Sequence, residues 1–211
     1  MYLSFDDFRT GCSRYWGPHA PHASPQTKQQ ALEYLQHKTL IHAVSQAMLV
    51  TGKHPWNSDF NNNLSSTMTG LHLTAYFGLM EQLVALLERK YNPDVKDANG
   101  WTPLSWAACN EHDTVPRLFL KKDGVNPDSL DSNDRTPVAL FVIYEYEAVV
   151  SLLLDKRDVK PDSKNKEGWT PLLWAARNGH ERVVKELMQN VKAKRNVEGT
   201  SIARKRLSRA A

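Results

Sequence analysis

The residues with most capacity for chemistry are the histidines and the two cysteines. His19 and His22 flank Ala20 and Pro21 in a proline-rich stretch, where two imidazoles could begin a metal site. No third ligand stands at a spacing that would complete a tetrahedral shell, so the stretch reads as a loop. Cys109 lies near His112, and a thiol beside a base is the start of a nucleophile, but the third partner that activates such a pair is missing. "NEHD" around His112 and "HERVV" from His180 each lack the second histidine of a zinc-protease helix. Gly52 and Lys53 resemble the end of a phosphate loop, yet Ala47 stands where its first glycine belongs and His54 where Ser or Thr belongs. The expectation is therefore no catalytic residue, no metal, no cofactor and no enzyme. Cys12 and Cys109 form no CxxC pair or framework, which fits a reducing compartment and makes the cytoplasm the expected address.

The elements that carry these residues follow from an internal repeat, which fixes architecture before any local detail. Thr69, Thr102, Thr136 and Thr170 are spaced 33, 34 and 34 residues apart, and 18 residues after each stands Leu87, Leu120, Leu154 or Met188, ending an apolar cluster. Between them run "NPDVKDANGW" from Asn92, "NPDSLDSNDR" from Asn126 and "KPDSKNKEGW" from Lys160. In the unit opening "GWTPLSWAA", Gly100 sits at a turn, Thr102 caps, and Pro103 suits the first helical position because its missing N–H is unpaired there anyway. Leu104, Ala107 and Ala108 give helical spacing, and a second helix carries Val115, Leu118, Phe119 and Leu120, with Pro116 in its first turn. The Pro127, Asp128, Asp131 stretch is rich in turn formers and closes the unit as a loop or hairpin. Each unit has one apolar face that only a neighbouring unit can cover.

"GWTPLSWAA" and, from Gly168, "GWTPLLWAA" followed by "RNGHERVVKELM" resemble the ankyrin repeat, whose opening is typically Gly-x-Thr-Pro-Leu-His. The resemblance implies an all-α solenoid of about four stacked helix-turn-helix repeats joined by short hairpin loops. It divides the chain into a helical lead-in over 1–66, repeats over 67–96, 97–130, 131–164 and 165–191, and a basic tail over 192–211. Departures are visible. Gly70 replaces the proline of the first repeat, and in the third Asp134 replaces a glycine and Glu145 stands where a second glycine is usual. Asp tolerates a left-handed conformation better than most residues. Only His72 keeps the histidine of the opening, with Ser105, Ala139 and Leu173 at the matching positions, so no histidine ladder between repeats is expected.

Ahead of the repeats, Leu32, Leu35, Ile41, Val44, Met48 and Leu49 lie near helical spacing and predict a helix or helix pair. This stretch, with "SRYWGPHA" from Ser13 and "GLHLTAYFG" from Gly70, resembles the junction in fungal NACHT and ankyrin proteins, nucleotide-binding receptors in which a phosphate-loop domain lies upstream. The chain contains no such loop, so it resembles a receptor remnant, a truncated gene model or a stand-alone repeat protein. After Val191 the pattern breaks, since the next threonine is due near 204, which is Arg. Lys192 to Ala211 holds seven basic residues against Glu198, a net of plus six, whereas the preceding chain carries 20 basic and 22 acidic residues. The basic balance thus describes the tail, which reads as solvated and disordered. "RKRLSR" from Arg204 is a candidate nuclear-import or kinase signal, and the tail is the basis of an alternative nucleic-acid-binding hypothesis that the rest of the charge pattern does not favour.

The resemblance implies instead a protein partner on the concave face, lined by the residues before each Thr-Pro and the exposed ends of the first helices. By position these are Met68, Trp101, Arg135 and Trp169 from the turns, with Tyr76, Phe77, Cys109, Asn110, Ile143, Tyr144, Arg177 and Asn178 from the helices. Trp, Tyr and Arg anchor interfaces through large buried area or several hydrogen bonds. The competing expectation packs Trp101 and Trp169 on neighbouring turns. Trp106 and Trp174 are expected in the core, no membrane partner is expected, and neither partner identity nor oligomeric state is legible.

Overall fold

The computed structural model describes residues 25–50, 67–109 and 113–192. The described residues of the lead-in form a helix pair, α1 (Pro25–Tyr34) and α2 (Lys38–Val50). Four further pairs follow: α3 (Gly70–Phe77) with α4 (Met80–Glu88), α5 (Pro103–Trp106) with α6 (Thr114–Lys121), α7 (Pro137–Ile143) with α8 (Glu147–Leu154), and α9 (Pro171–Asn178) with α10, residues 181–192. Helix α5 tightens into a 3-10 turn over Ala107–Cys109. Among the described residues there is no strand. Successive first helices pack in a row, α3 on α5, α5 on α7 and α7 on α9, and α8 packs on α6. The result is the all-helical solenoid of stacked helix pairs that the resemblance to ankyrin repeats implies.

The helix starts are written in the caps. The hydroxyl oxygens of Thr102, Thr136 and Thr170 accept the N–H groups of Ser105, Ala139 and Leu173, and a proline opens each helix. The first pair differs, for Gly70 replaces proline there. A Cβ at Gly70 would run into the carbonyl oxygen of Leu35, so only glycine lets the turn after α1 lie backbone against backbone on the first unit. Leu32, Leu35 and Ile41 are buried in the common core with Leu71 and Leu86. Lys28 pairs with Glu81 at 2.8 Å and Arg89 donates to Gln36 at 2.6 Å, both on the exposed rim of this junction.

Helix ends follow backbone chemistry as closely. Gly78 and Gly179 terminate α3 and α9 in the left-handed region at φ 69° and 78°. Glu145 holds the corresponding place after α7 at φ 69°, and Asp134 takes φ 59° where Gly100 and Gly168 take 73° and 81°. The two departures from glycine therefore keep the conformation and bear its strain, heavier for Glu than for Asp.

Interior and terminal units are packed differently. Leu87, Leu120 and Leu154 are buried, but Met188, next in that column, is 43% exposed. His72, Ser105 and Ala139 are buried, while Leu173 is 49% exposed. Met188 lacks that cover because no following unit packs on it among the described residues. Residues 193–211, including the tail, and the "SRYWGPHA" segment lie outside the described residues.

Candidate functional site

The hairpins between units are built on one side-chain device that the motif reading passed over. Asp97 Oδ1 accepts the Asn99 and Trp101 N–H groups, both at 2.9 Å, while its Oδ2 accepts the Trp106 indole N–H at 2.7 Å. Thirty-four residues on, Asp131 Oδ1 accepts the Asn133 and Arg135 N–H groups at 2.8 Å, and its Oδ2 takes the Arg135 Nε–H at 2.7 Å. In the fourth unit Asn165 Oδ1 accepts the Glu167 and Trp169 N–H groups at 3.1 and 2.7 Å. Its other terminal atom is an amide nitrogen, a donor. The buried Trp174 indole N–H accordingly finds no acceptor among the described residues. Asp97, Asp131 and Asn165 recur at the 34-residue period, four residues before Trp101, Arg135 and Trp169, and that recurrence was the available signal. Adjacent hairpins are joined by Ser132 N–H to Asn99 O at 2.8 Å and Lys166 N–H to Asn133 O at 3.0 Å.

Burial pushes the Asp97 carboxyl up to about 6, against the N–H donors of Trp101, Trp106 and Asn99, and the charge of Asp131 adds to the rise. His72 moves the other way. Fully buried, it is lowered to about 4 by loss of solvent, although the Trp101 and Val95 carbonyls favour its protonated form. Its Nδ1 accepts the Thr69 N–H at 3.0 Å, so Nε2 carries the proton and donates to the Val95 and Trp101 carbonyls at 3.1 Å each. The single histidine of the opening motif thereby ties the first helix to the next hairpin.

The positions proposed for partner contact divide sharply. Trp101 is only 2% exposed, so it is no exposed anchor in the free chain. Its ring meets Trp106 edge-on at 5.4 Å and lies 5.8 Å beneath the Arg135 guanidinium of the next hairpin. Phe77 and Met68 are likewise buried, Phe77 with the Tyr76 ring edge-on at 4.9 Å. Arg135 is largely covered and engaged with Asp131. Tyr76, Ile143, Tyr144 and Trp169 are half-buried, and Arg177 and Asn178 are exposed. Cys109 ends the 3-10 turn, its side chain outside what is described, and Asn110 lies outside the described residues. Trp106 is a core residue as expected, but Trp174 is half-buried, because nothing described packs beyond the fourth unit.

Trp169 and Trp174 lie 4.7 Å apart with planes tilted by 34°, and the Arg177 guanidinium stands 5.2 and 5.7 Å from their ring centres. Apart from the half-buried Tyr76, the accessible part of the proposed flank is thus its C-terminal half. A family model described as ankyrin repeats (3 copies) matches residues 30–131, 71–164 and 118–199. The chain belongs to the ankyrin-repeat family. Such repeats are generally protein–protein interaction modules and typically not enzymes. The match extends into the lead-in, whose helices cover the first repeat. No curated protein matches the chain significantly. Among the described residues no helix is long and apolar enough to cross a membrane.

Proposed function

We propose that this ankyrin-repeat chain is a non-enzymatic interaction module that receives a protein partner on the flank formed by the ends of α7 and α9 and the fourth hairpin. The observation that carries this reading is the run of accessible side chains there, Ile143 and Tyr144 at the end of α7, Trp169 in the hairpin, and Arg177 and Asn178 at the end of α9, on a scaffold packed into the core. Aromatic and arginine side chains held by a packed scaffold lose little entropy on binding. Affinity capture from the source cell with the intact chain and with an Ile143→Asp, Arg177→Glu double variant tests it. A partner should be retained by the first and lost by the second at unchanged helical content. The same proteins captured by both would overturn the reading. The lead-in's resemblance to the fungal NACHT junction extends the proposal to the sensing arm of a cytoplasmic signalling receptor, for which an upstream reading frame with a phosphate loop is the test.

A further inference from the structure

Among the described residues two arginines lie over tryptophan rings, and they are not equivalent. Arg135 stands 5.8 Å from the Trp101 ring centre and delivers its Nε–H to the Asp131 carboxylate at 2.7 Å. Arg177 stands 5.2 Å from Trp169 and 5.7 Å from Trp174, is exposed, and makes no hydrogen bond or ion pair among the described residues. The hairpin residue that is Asp131 in the third unit is Asn165 in the fourth, and among the described residues no carboxylate pairs with the Arg177 guanidinium. An exposed guanidinium held against two rings keeps N–H groups for a ligand, and a planar guanidinium can take a carboxylate with two parallel hydrogen bonds. The surroundings carry the same sign. Residues 160–192 hold seven basic and four acidic side chains, a net charge of plus three.

We propose that Trp169, Trp174 and Arg177 form a docking site for an acidic peptide segment of the protein partner, Arg177 taking a carboxylate while the two indoles pack beside the peptide. This rests on the interaction-module reading and names the partner's chemistry. The closed cluster of the third hairpin shows the geometry within the same molecule: a guanidinium over an indole, completed by a carboxylate. At the fourth unit the carboxylate comes from outside. The basic field raises the encounter rate with acidic chains, and the stacked arginine supplies the fixed contact.

The test uses the full chain and synthetic peptides of about twelve residues in matched pairs, each acidic member having a twin with every Asp and Glu changed to Asn and Gln. Binding is followed by tryptophan fluorescence. Acidic members should bind about tenfold more tightly than their twins, and Arg177→Gln should erase that difference. Arg182→Gln, which changes an exposed charge on α10, should leave it in place. Equal binding of the twins, absence of binding, or equal loss in both variants would overturn the proposal, the last by assigning the effect to diffuse charge. An oligothymidylate probe that binds with the same dependence on Arg177 would also overturn it, in favour of a phosphate ligand. Should the peptides fail while a captured partner is still lost from the Ile143→Asp, Arg177→Glu variant, the acidic-segment inference falls and the interaction-module reading stands.

Discussion

The second and fourth units open with almost the same residues, GWTPLSWAA and GWTPLLWAA, and yet bury them differently. In the second, Trp101 and Trp106 are core residues and Ser105 is hidden; in the fourth, Trp169 and Trp174 are half-buried and Leu173 is nearly half exposed. The second unit is flanked on both sides, whereas among the described residues the fourth is flanked on one. A repeat motif therefore specifies the helix pair and its caps, and the neighbour decides what is core. In a stack stabilised by nearest-neighbour interfaces, identical substitutions in one column should differ in cost according to what lies beyond them.

The largest expected effect tests that statement within one column. Leu154→Ala removes a side chain that is 3% exposed, and should cost about 2–5 kcal/mol by leaving a cavity between the third and fourth units. Met188→Ala, at the same position 34 residues later, removes one that is 43% exposed and should cost under about 1 kcal/mol. Urea unfolding of the two variants measures the difference. Equal losses would mean that Met188 is covered in solution, and the contrast between interior and end would collapse.

Acid titration should also separate the two regions. His72 and Asp97 both sit where the first unit meets the second, while the fourth unit has Leu173 and Asn165 in their places. Asp97, raised to about 6, holds a proton in the folded chain that the unfolded chain has released, so its contribution to stability falls as pH climbs from about 4 to 6. His72, lowered to about 4, stays neutral when folded while the unfolded chain charges near 6.5, so its contribution is lost as pH falls from about 6.5 to 4. The two slopes oppose each other. Relative to wild type, His72→Ser should lose stability with rising pH across that window, and Asp97→Asn should gain it. Denaturation midpoints at pH 4, 5, 6 and 7 read the signs directly; variants that run parallel to wild type would remove both assignments.

How far the sequence reached can be stated from these same residues. Thr102, Thr136 and Thr170 with their prolines reported the helix starts because capping is local chemistry, complete within three residues. Exposure was not local. Trp101 looked like an anchor by its position before a Thr-Pro, but the Trp106 indole of its own unit and the Arg135 guanidinium of the next hairpin lie against it, and the second of these contacts depends on how two units stack. Gly70 looked like a defect in the first repeat until the Leu35 carbonyl supplied its reason. Asp97, Asp131 and Asn165 were in plain view as a period, but reading them required knowing which donor each second atom meets. The accessible candidates, Ile143, Arg177 and Asn178 among them, emerged only by subtracting those that the stack hides.

The smallest effect isolates that second atom. In the fourth hairpin Asn165 already makes both backbone contacts that Asp97 makes in the second, so Asn165→Asp should leave the turn unchanged and exchange only a donor for an acceptor. The Trp174 indole N–H would then gain the bond that Trp106 makes to Asp97 at 2.7 Å. A buried donor without a partner costs about 1–3 kcal/mol, and charging the new carboxylate returns part of the gain, so a net stabilisation of about 1 kcal/mol is expected. Asn165 is only half-buried and lies between the exposed Lys164 and Lys166, so desolvation opposes the substitution less than it would at Asp97. Urea unfolding gives the stability, and slower exchange of the Trp174 indole proton by NMR identifies its source. Stabilisation without slower exchange would assign the gain to the neighbouring lysines; loss of stability would show that the indole already has an acceptor, and that the two hairpins differ less than their second atoms suggest.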